Sequence, residues 1–550
     1  IDKMQKGFQL VDTDLSDPSV FFTTPNKSRR CPVMVTIGDY NETSVDLQQL
    51  LEAGMNIAKL KIAETSTQER AFILERLKEA TQISCRKYDV RYWPVATCVA
   101  LKNSMVKTGL LESVITQEYI EIKEDSEIIL TNEDTYYDKC NDKKIYVNNP
   151  FLSVDTKIGT EISINSDEIL AICTEILDRE SIKCVIIKGG FLSNVCDFCT
   201  RVENYSRPFI TQKDWEIVDF AIEYEIDMII LNYVTNKQVV EEVKKYIKDK
   251  KRPMILSGIA TMKGLKNIDD IIKESDGIVL SREFLPYEVS ATYRYRLPYI
   301  QKWLAAKCFQ VGKPLFICGG VFEEALRFGK FRYPQTTDVC NAILDGVSGF
   351  ILKSCAPSTT LTVKVLKSIN EISCFVEPLM MSSSHFMRII KEVIPVNAAE
   401  AAVIASVMAA RQTNSRVIIL PTVSGATVRI LNWIRPPCLV IAVSSDVRTT
   451  RRLHIYRGVT PLLFFKKHQR NWKETLEDQL LYALDYAIKH DRVEYDDTYV
   501  SLQRHSQFSS FCDTIVIDKV ALGKKRIECP ETYEDTTDYG YLKFGNESKF

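Results

Sequence analysis

The sequence has no hydrophobic run that approaches the roughly 20 apolar residues a membrane-spanning helix needs. No signal-peptide pattern opens it at Ile1. It also has no excess of either charge: 71 Lys and Arg against 72 Asp and Glu leave −1 at pH 7. That balance removes any charge-based case for nucleic acid or an anionic lipid surface. Histidine is scarce, at five residues, and the one close cysteine pair, Cys196-x-x-Cys199, has no second pair at zinc-finger spacing. Sixteen cysteines are present, but they are irregularly spaced and many fall inside apolar segments (Cys98, Cys173, Cys184, Cys318, Cys340). That is the pattern of reduced thiols in a cytoplasmic protein, not of a disulfide framework.

What the sequence does contain is length and rhythm. A chain of 550 residues exceeds what one core supports, so several domains are expected. Short β-branched runs at 33–37, 94–99, 227–231, 253–256, 277–280, 314–317 and 349–352 predict strands. Helical patterns at 45–53, 68–80, 213–223, 237–248 and 298–310 fall between them. The alternation predicts βαβ units closing into a parallel (β/α)8 barrel. Strand-like stretches (119–122, 128–130, 144–147, 184–187) dominate from 111 to 207, which predicts a β-rich lid inserted in the barrel. After 368 a second α/β unit begins, with helices at 398–411, 426–434 and 448–453 and strands at 417–420 and 439–443. The expected layout is an N-terminal arm (1–28), barrel (29–110 and 208–367), lid (111–207), a three-layer C-terminal α/β domain (368–522) and an acidic, aromatic tail (523–550). The basic run 244–252 and the pair Arg451-Arg452 read as solvated helix faces, and His454 as a packed residue.

Several segments then point to a family. Residues 34–38 (MVTIG), 51–60 (LEAGMNIAKL), 275–279 (SDGIV), Lys313-Pro314, 338–346 (DVCNAILDG) and 440–463 (VIAVSSDVRTTRRLHIYRGVTPLL) resemble pyruvate kinase in the same order. Within the lid, 144–147 (KIYV) and Gly189-Gly190 fit as well. The resemblance spans about 29–520 and implies phosphoryl transfer between phosphoenolpyruvate and ADP. In such chemistry a protein acts mainly by positioning and by placing positive charge on the moving group.

The residues that this resemblance assigns to the chemistry are largely replaced. The family's Ser-Lys-Ile-Glu motif aligns with 257–260, where Gly258 stands for the Lys and Ala260 for a Mg²⁺-binding Glu. Its Ala-Arg-Gly-Asp-Leu-Gly motif aligns with 281–286, which keeps Arg282 but has Phe284 in place of the second metal carboxylate. Mg²⁺ needs hard oxygen ligands, and a methyl and a phenyl group offer none. In the segment 58–63 the family's Arg is Lys59, its K⁺-binding Asn is Lys61 and its Ser is Ala63; the Asp-Thr pair that completes the K⁺ site is Ala100 and Leu101. The Thr near the reacting carbon is Gly319, and the Ser-Gly-Glu-Thr segment aligns with 353–356. Lys59, Lys107 (at a nucleotide-phosphate Arg position) and Arg282 remain as the basic residues of the substrate site. The retained Gly38, Gly54, Asp276, Gly277, Asp338, Asp345 and Gly346 suit turns, caps and close packing.

The family's effector phosphate loop aligns with 422–427 (TVSGAT), where Thr422, Ser424, Gly425 and Thr427 either hold an anion at a helix N-terminus or simply cap it. A second effector loop, which carries a Trp and an Arg in the family, aligns with 504–510 and keeps neither at the matching position. The expectation is a pyruvate-kinase-like pseudoenzyme with no Mg²⁺ or K⁺ cofactor and a scaffolding or regulatory role. A pyruvate kinase of weak or altered activity is the alternative. Expected partners are its own copies or an active relative, and a larger cytoskeletal or flagellar assembly, with neither nucleic acid nor membrane.

Overall fold

The structure, a computed structural model, describes residues 26–521 apart from 27, 39–41, 62–66, 102–105, 113–118, 166, 202–208, 249–251, 289–294, 354–355, 381–385, 387–395 and 465–471. The expected arm and tail lie outside these residues, except Asn26 and Ser28. Eight parallel strands close a barrel: Val33–Ile37, Ile57–Leu60, Ala96–Ala100, Met228–Leu231, Met254–Ile259, Gly277–Ser281, Leu315–Cys318 and Gly349–Leu352. Alternation along each strand divides its side chains. Met34, Ile57, Cys98, Ile230, Leu256, Val279, Phe316 and Ile351 belong to one buried cluster, while Val33, Val35, Leu60, Val99 and Leu231 pack with the helices in another. The helix at 68–80 continues as Thr67–Tyr88, and the last barrel helix, Thr359–Val376, runs through the expected boundary at 368.

The lid is inserted after the third strand. Its seven-stranded sheet begins with Val106–Lys107, ahead of the expected start at 111, because these residues pair with Asp197–Thr200 at the lid's far end. Lys107 therefore belongs to the lid. The C-terminal domain is a five-stranded sheet in the order Val459–Leu463, Leu439–Ser444, Val417–Pro421, Thr498–Gln503, Thr514–Lys519, with only the last pair antiparallel. Helices Ala398–Gln412 and Ala426–Ile434 cover one face through Val403, Val407, Val428 and Leu431, and Trp472–Lys489 covers the other through Ala483, Leu484 and Ala487.

This domain docks on the N-terminal ends of the barrel strands, opposite the lid. Arg451 does not lie on an exposed face: its side chain is 1% exposed and pairs with Asp227, itself 0% exposed, just before the fourth strand. The helix Val447–Arg452 turns this side toward the barrel, and a guanidinium so buried needs a carboxylate. Nor is 244–252 simply solvated. Lys244 pairs with Glu274 at 3.1 Å and Arg252 with Asp276 at 2.7 Å, both half-buried. Among the described residues no helix is long and apolar enough to cross a membrane.

Candidate functional site at the barrel mouth

A barrel of this kind carries its site at the C-terminal ends of the strands. The inward-facing series there continues through Lys59, Ala100, Asn232, Gly258, Ala260, Cys318 and Lys353. Gly258 has no room for a side chain: a Cβ would sit 2.9 Å from the Leu231 carbonyl oxygen and 3.2 Å from Asn232 Cα. Asn232 is fixed there by donating from Nδ2 to the Leu101 carbonyl at 2.6 Å. Ala260 is buried, at 1% exposure. Phe284, just past the sixth strand, packs on Tyr233 from the end of the fourth, with ring centroids 5.5 Å apart. The two rings face the lid across a cavity of about 20 Å³, which Phe198, Cys199 and Ser163 wall from above. A space of that size holds about one water.

The surviving Arg282 is turned to structural use. Its two terminal nitrogens each donate to Asp338 at 2.7 Å, and Nε donates to the Gly319 carbonyl at 3.0 Å. A fork–fork pair of this geometry is among the strongest contacts a guanidinium makes. Next to it, Lys353, Glu283 and Glu323, none of them among the expected site residues, form an ion cluster. Lys353 pairs with Glu283 and, at 3.3 Å, with Glu323, whose carboxylate also accepts from the Gly320 N–H at 3.0 Å. Burial pushes Glu283 above the ordinary carboxylate range against the opposing pull of Lys353. Burial also acts to raise Glu323, but Lys353 and the Gly320 amide outweigh it and hold this carboxylate low. Burial acts to lower the Lys353 ammonium, and the two carboxylates together raise it. Gly319, left-handed at φ +92, lets the chain pass Glu283: a Cβ there would meet the Glu283 nitrogen at 2.7 Å. Lys59 has no ion-pair partner among the described residues. It faces Cys98 and Cys318, whose thiols burial pushes up, Cys98 to about 12, while Lys59 opposes the rise.

These residues do not fit the metal the family resemblance implies. Glu283 and Glu323 are spent on Lys353, Asp338 on Arg282, and Ala260 and Phe284 supply no ligand atom. Leu101 is buried, Lys61 is exposed, and Ala63 lies outside the described residues. Among the described residues no group of three or more His, Cys, Asp or Glu could hold a metal ion. Cys196 and Cys199 do not converge either: Cys196 Sγ is 3.1 Å from the Ser193 carbonyl and Cys199 Sγ 3.6 Å from the Tyr287 carbonyl. Scanning positions one to three past each strand end would have found Tyr233, Glu283 and Lys353, since that is where such a barrel gathers its site.

A second cavity, of about 610 Å³, opens in the C-terminal domain between the loop after Val417–Pro421 and the start of Trp472–Lys489. Thr422 lines it and accepts from the Gly425 N–H at 3.1 Å. Thr427 does not: it is buried and donates to Cys512 Sγ at 3.7 Å. Ser424 is exposed beside the loop and is not part of the wall. The structure brings in Trp472 and Arg504, an aromatic ring and a guanidinium that alignment of the second loop alone did not place there. Asp446 also faces the cavity, accepting from the Thr449 N–H at 2.7 Å, so the wall carries one charge of each sign among the described residues.

Comparison with known proteins accords with this architecture. Residues 28–359 match the family model described as pyruvate kinase, barrel domain, and residues 400–517 that described as pyruvate kinase, alpha/beta domain. A pyruvate kinase of Debaryomyces hansenii is 25% identical over 496 residues, covering 90% of this chain and 96% of its own length. One of Candida albicans is 23% identical with the same coverage. The human pyruvate kinase PKLR is 24% identical over 464 residues, 84% of this chain and 80% of its own.

Proposed function

The chain belongs to the pyruvate kinase family, and from that premise we propose that it serves as a non-catalytic binding or structural member of it. The observation that carries this reading is the mouth of the barrel. Where the family resemblance calls for two metal carboxylates, Phe284 packs on Tyr233 and Ala260 is buried. Where it calls for a lysine, backbone of the neighbouring strand fills the space beside Gly258. Loss of one preorganised group costs about 10²–10³ in rate, and losses within one machine combine without simply multiplying. Several absent together leave no useful turnover. A coupled assay with phosphoenolpyruvate, ADP, Mg²⁺ and K⁺ should return no pyruvate above the no-protein control. Turnover that scales with protein concentration, and survives removal of contaminating kinase, would sink the reading.

The same reading places the protein in the cytoplasm; the fourteen described cysteines, all free thiols, support this. It further proposes a homo-oligomer, or a mixed oligomer with an active relative, and beyond that a larger cytoskeletal or flagellar assembly. Support for self-association comes from the edge strand Thr514–Lys519, which leaves Val516 and Ile517 exposed at the rim of its sheet. Light scattering at micromolar concentration should give a mass above 62.9 kDa. A strict monomer with no co-purifying relative would count against it.

A further inference from the structure

We propose that the lid is latched onto the barrel mouth by the protein's own side chains, so that its closed position requires no bound ligand. Arg201, at the foot of the lid strand Asp197–Thr200, is the centre of the latch. Its side chain is 6% exposed and uses three donors in three directions. One terminal nitrogen pairs with Glu161 at 2.5 Å and the other with Asp167 at 2.7 Å, both on the lid. The third donor, Nε, crosses to the barrel and meets the Tyr287 carbonyl oxygen at 3.0 Å.

That carbonyl belongs to the short helix Leu285–Glu288, which follows Phe284 directly. A backbone carbonyl oxygen is a good acceptor for a guanidinium whose charge two carboxylates already balance. Cys199 Sγ approaches the same oxygen at 3.6 Å. Beside this polar clasp lies an apolar one, in which Phe198 from the lid closes over Phe284 and Tyr233 around the small cavity. Tyr233 adopts φ +52, a left-handed conformation that bulky residues avoid unless their surroundings hold them there. The same residue packs its ring on Phe284, with centroids 5.5 Å apart.

The latch stands independently of whether the barrel turns over substrate. A lid that opens and closes on its own side chains could cover an active or an inactive mouth.

Cys199 reports the state of the latch, because its thiol lies at the seam. The full chain is treated with N-ethylmaleimide and the modification of Cys199 followed by peptide mass spectrometry, with the urea-unfolded protein as reference. In the folded protein Cys199 should react at least about tenfold more slowly than in the unfolded chain, and Mg²⁺ with ADP should leave that rate unchanged. Arg201→Gln and Phe284→Ala should each raise it about tenfold through more frequent local opening. Phe284→Ala leaves the ion pairs of Arg201 intact, so it carries the test if Arg201→Gln fails to fold. Three results would overturn the proposal: reaction of wild-type Cys199 at the unfolded rate, further protection on adding Mg²⁺ and ADP, or an unchanged rate in a folded Phe284→Ala variant.

Discussion

At the scale of single residues, burial decides what each ionisable group can do, and His454 makes the point measurable. Its ring is buried, with Nε2 3.0 Å from the Pro94 carbonyl. Burial lowers its pKa to about 4; the bond to Pro94 and the charge of Asp227 pull upward, and Arg29 pulls down. The unfolded chain takes up a proton near pH 6.5 while the folded one resists until about 4. Stability from this group is therefore complete above about pH 6.5 and is lost as pH falls toward 4, by on the order of 3 kcal/mol. Urea unfolding at pH 7 and pH 4.5 should show this loss in the wild type and a clearly smaller one in His454→Gln. Equal losses in the two proteins would mean that the imidazole is already protonated in the fold. Lys353 shows the same rule with opposite outcome: burial acts to lower its ammonium, and the Glu283 and Glu323 carboxylates facing it raise it.

At the scale of elements, the strands of the barrel were legible because β-branched runs bounded by polar turns have few other uses. Each of the seven expected strands overlaps one observed, with ends within two residues except at 253–256, which continues to Ile259; the eighth, Ile57–Leu60, was not among them, and the helix beginning at Thr67 was only cut short. The placement of Gly258, Ala260 and Phe284 at the strand ends was legible too, since a strand-end motif fixes which residue faces inward. What packs around them was not. Tyr233 meets Phe284, and Lys353 meets Glu283 and Glu323, across sequence separations that periodicity does not reach. Arg451 was misread for the same reason: its helix pattern is polar, and only the docked barrel reveals that one polar face is buried. These fillings have a consequence for reversal. Restoring Ala260→Glu and Phe284→Asp with Gly258→Lys returns the family's charges on paper. The new Lys Cβ, however, would lie 2.9 Å from the Leu231 carbonyl, a contact that strand backbone cannot relieve cheaply. The triple variant should melt below the parent by an amount matching about 1–3 kcal/mol and remain far from full activity. Thermal melting and the coupled assay check both parts; a triple variant as stable as the parent would show that the fifth strand has room after all.

At the scale of the whole molecule, the barrel and the C-terminal domain meet through buried polar contacts. Arg451 Nε reaches the two oxygens of Asp227 at 3.1 and 2.9 Å, and a terminal nitrogen reaches the Glu225 carbonyl at 3.3 Å. Asp227 also accepts from Thr97 N–H and hydroxyl, at 3.0 and 3.2 Å, so its carboxylate links two barrel strands to the second domain. Arg448 pairs with Glu225 at 2.5 Å, and Arg435 donates to the Gly346 carbonyl at 2.6 Å. A buried pair of this kind stabilises little against an apolar substitute, but losing one partner strands a charge in the interior at about 3–5 kcal/mol. That asymmetry makes the interface all-or-none, so the two domains should unfold in one calorimetric transition. Arg451→Met leaves Asp227 buried without its cation, and the C-terminal domain should then melt as a separate, earlier transition. Adding Asp227→Leu removes the stranded charge and should bring the two transitions most of the way back together. A single Arg451→Met variant that still melts in one transition within about 1 °C of the parent would show that the apolar part of the interface alone couples the domains.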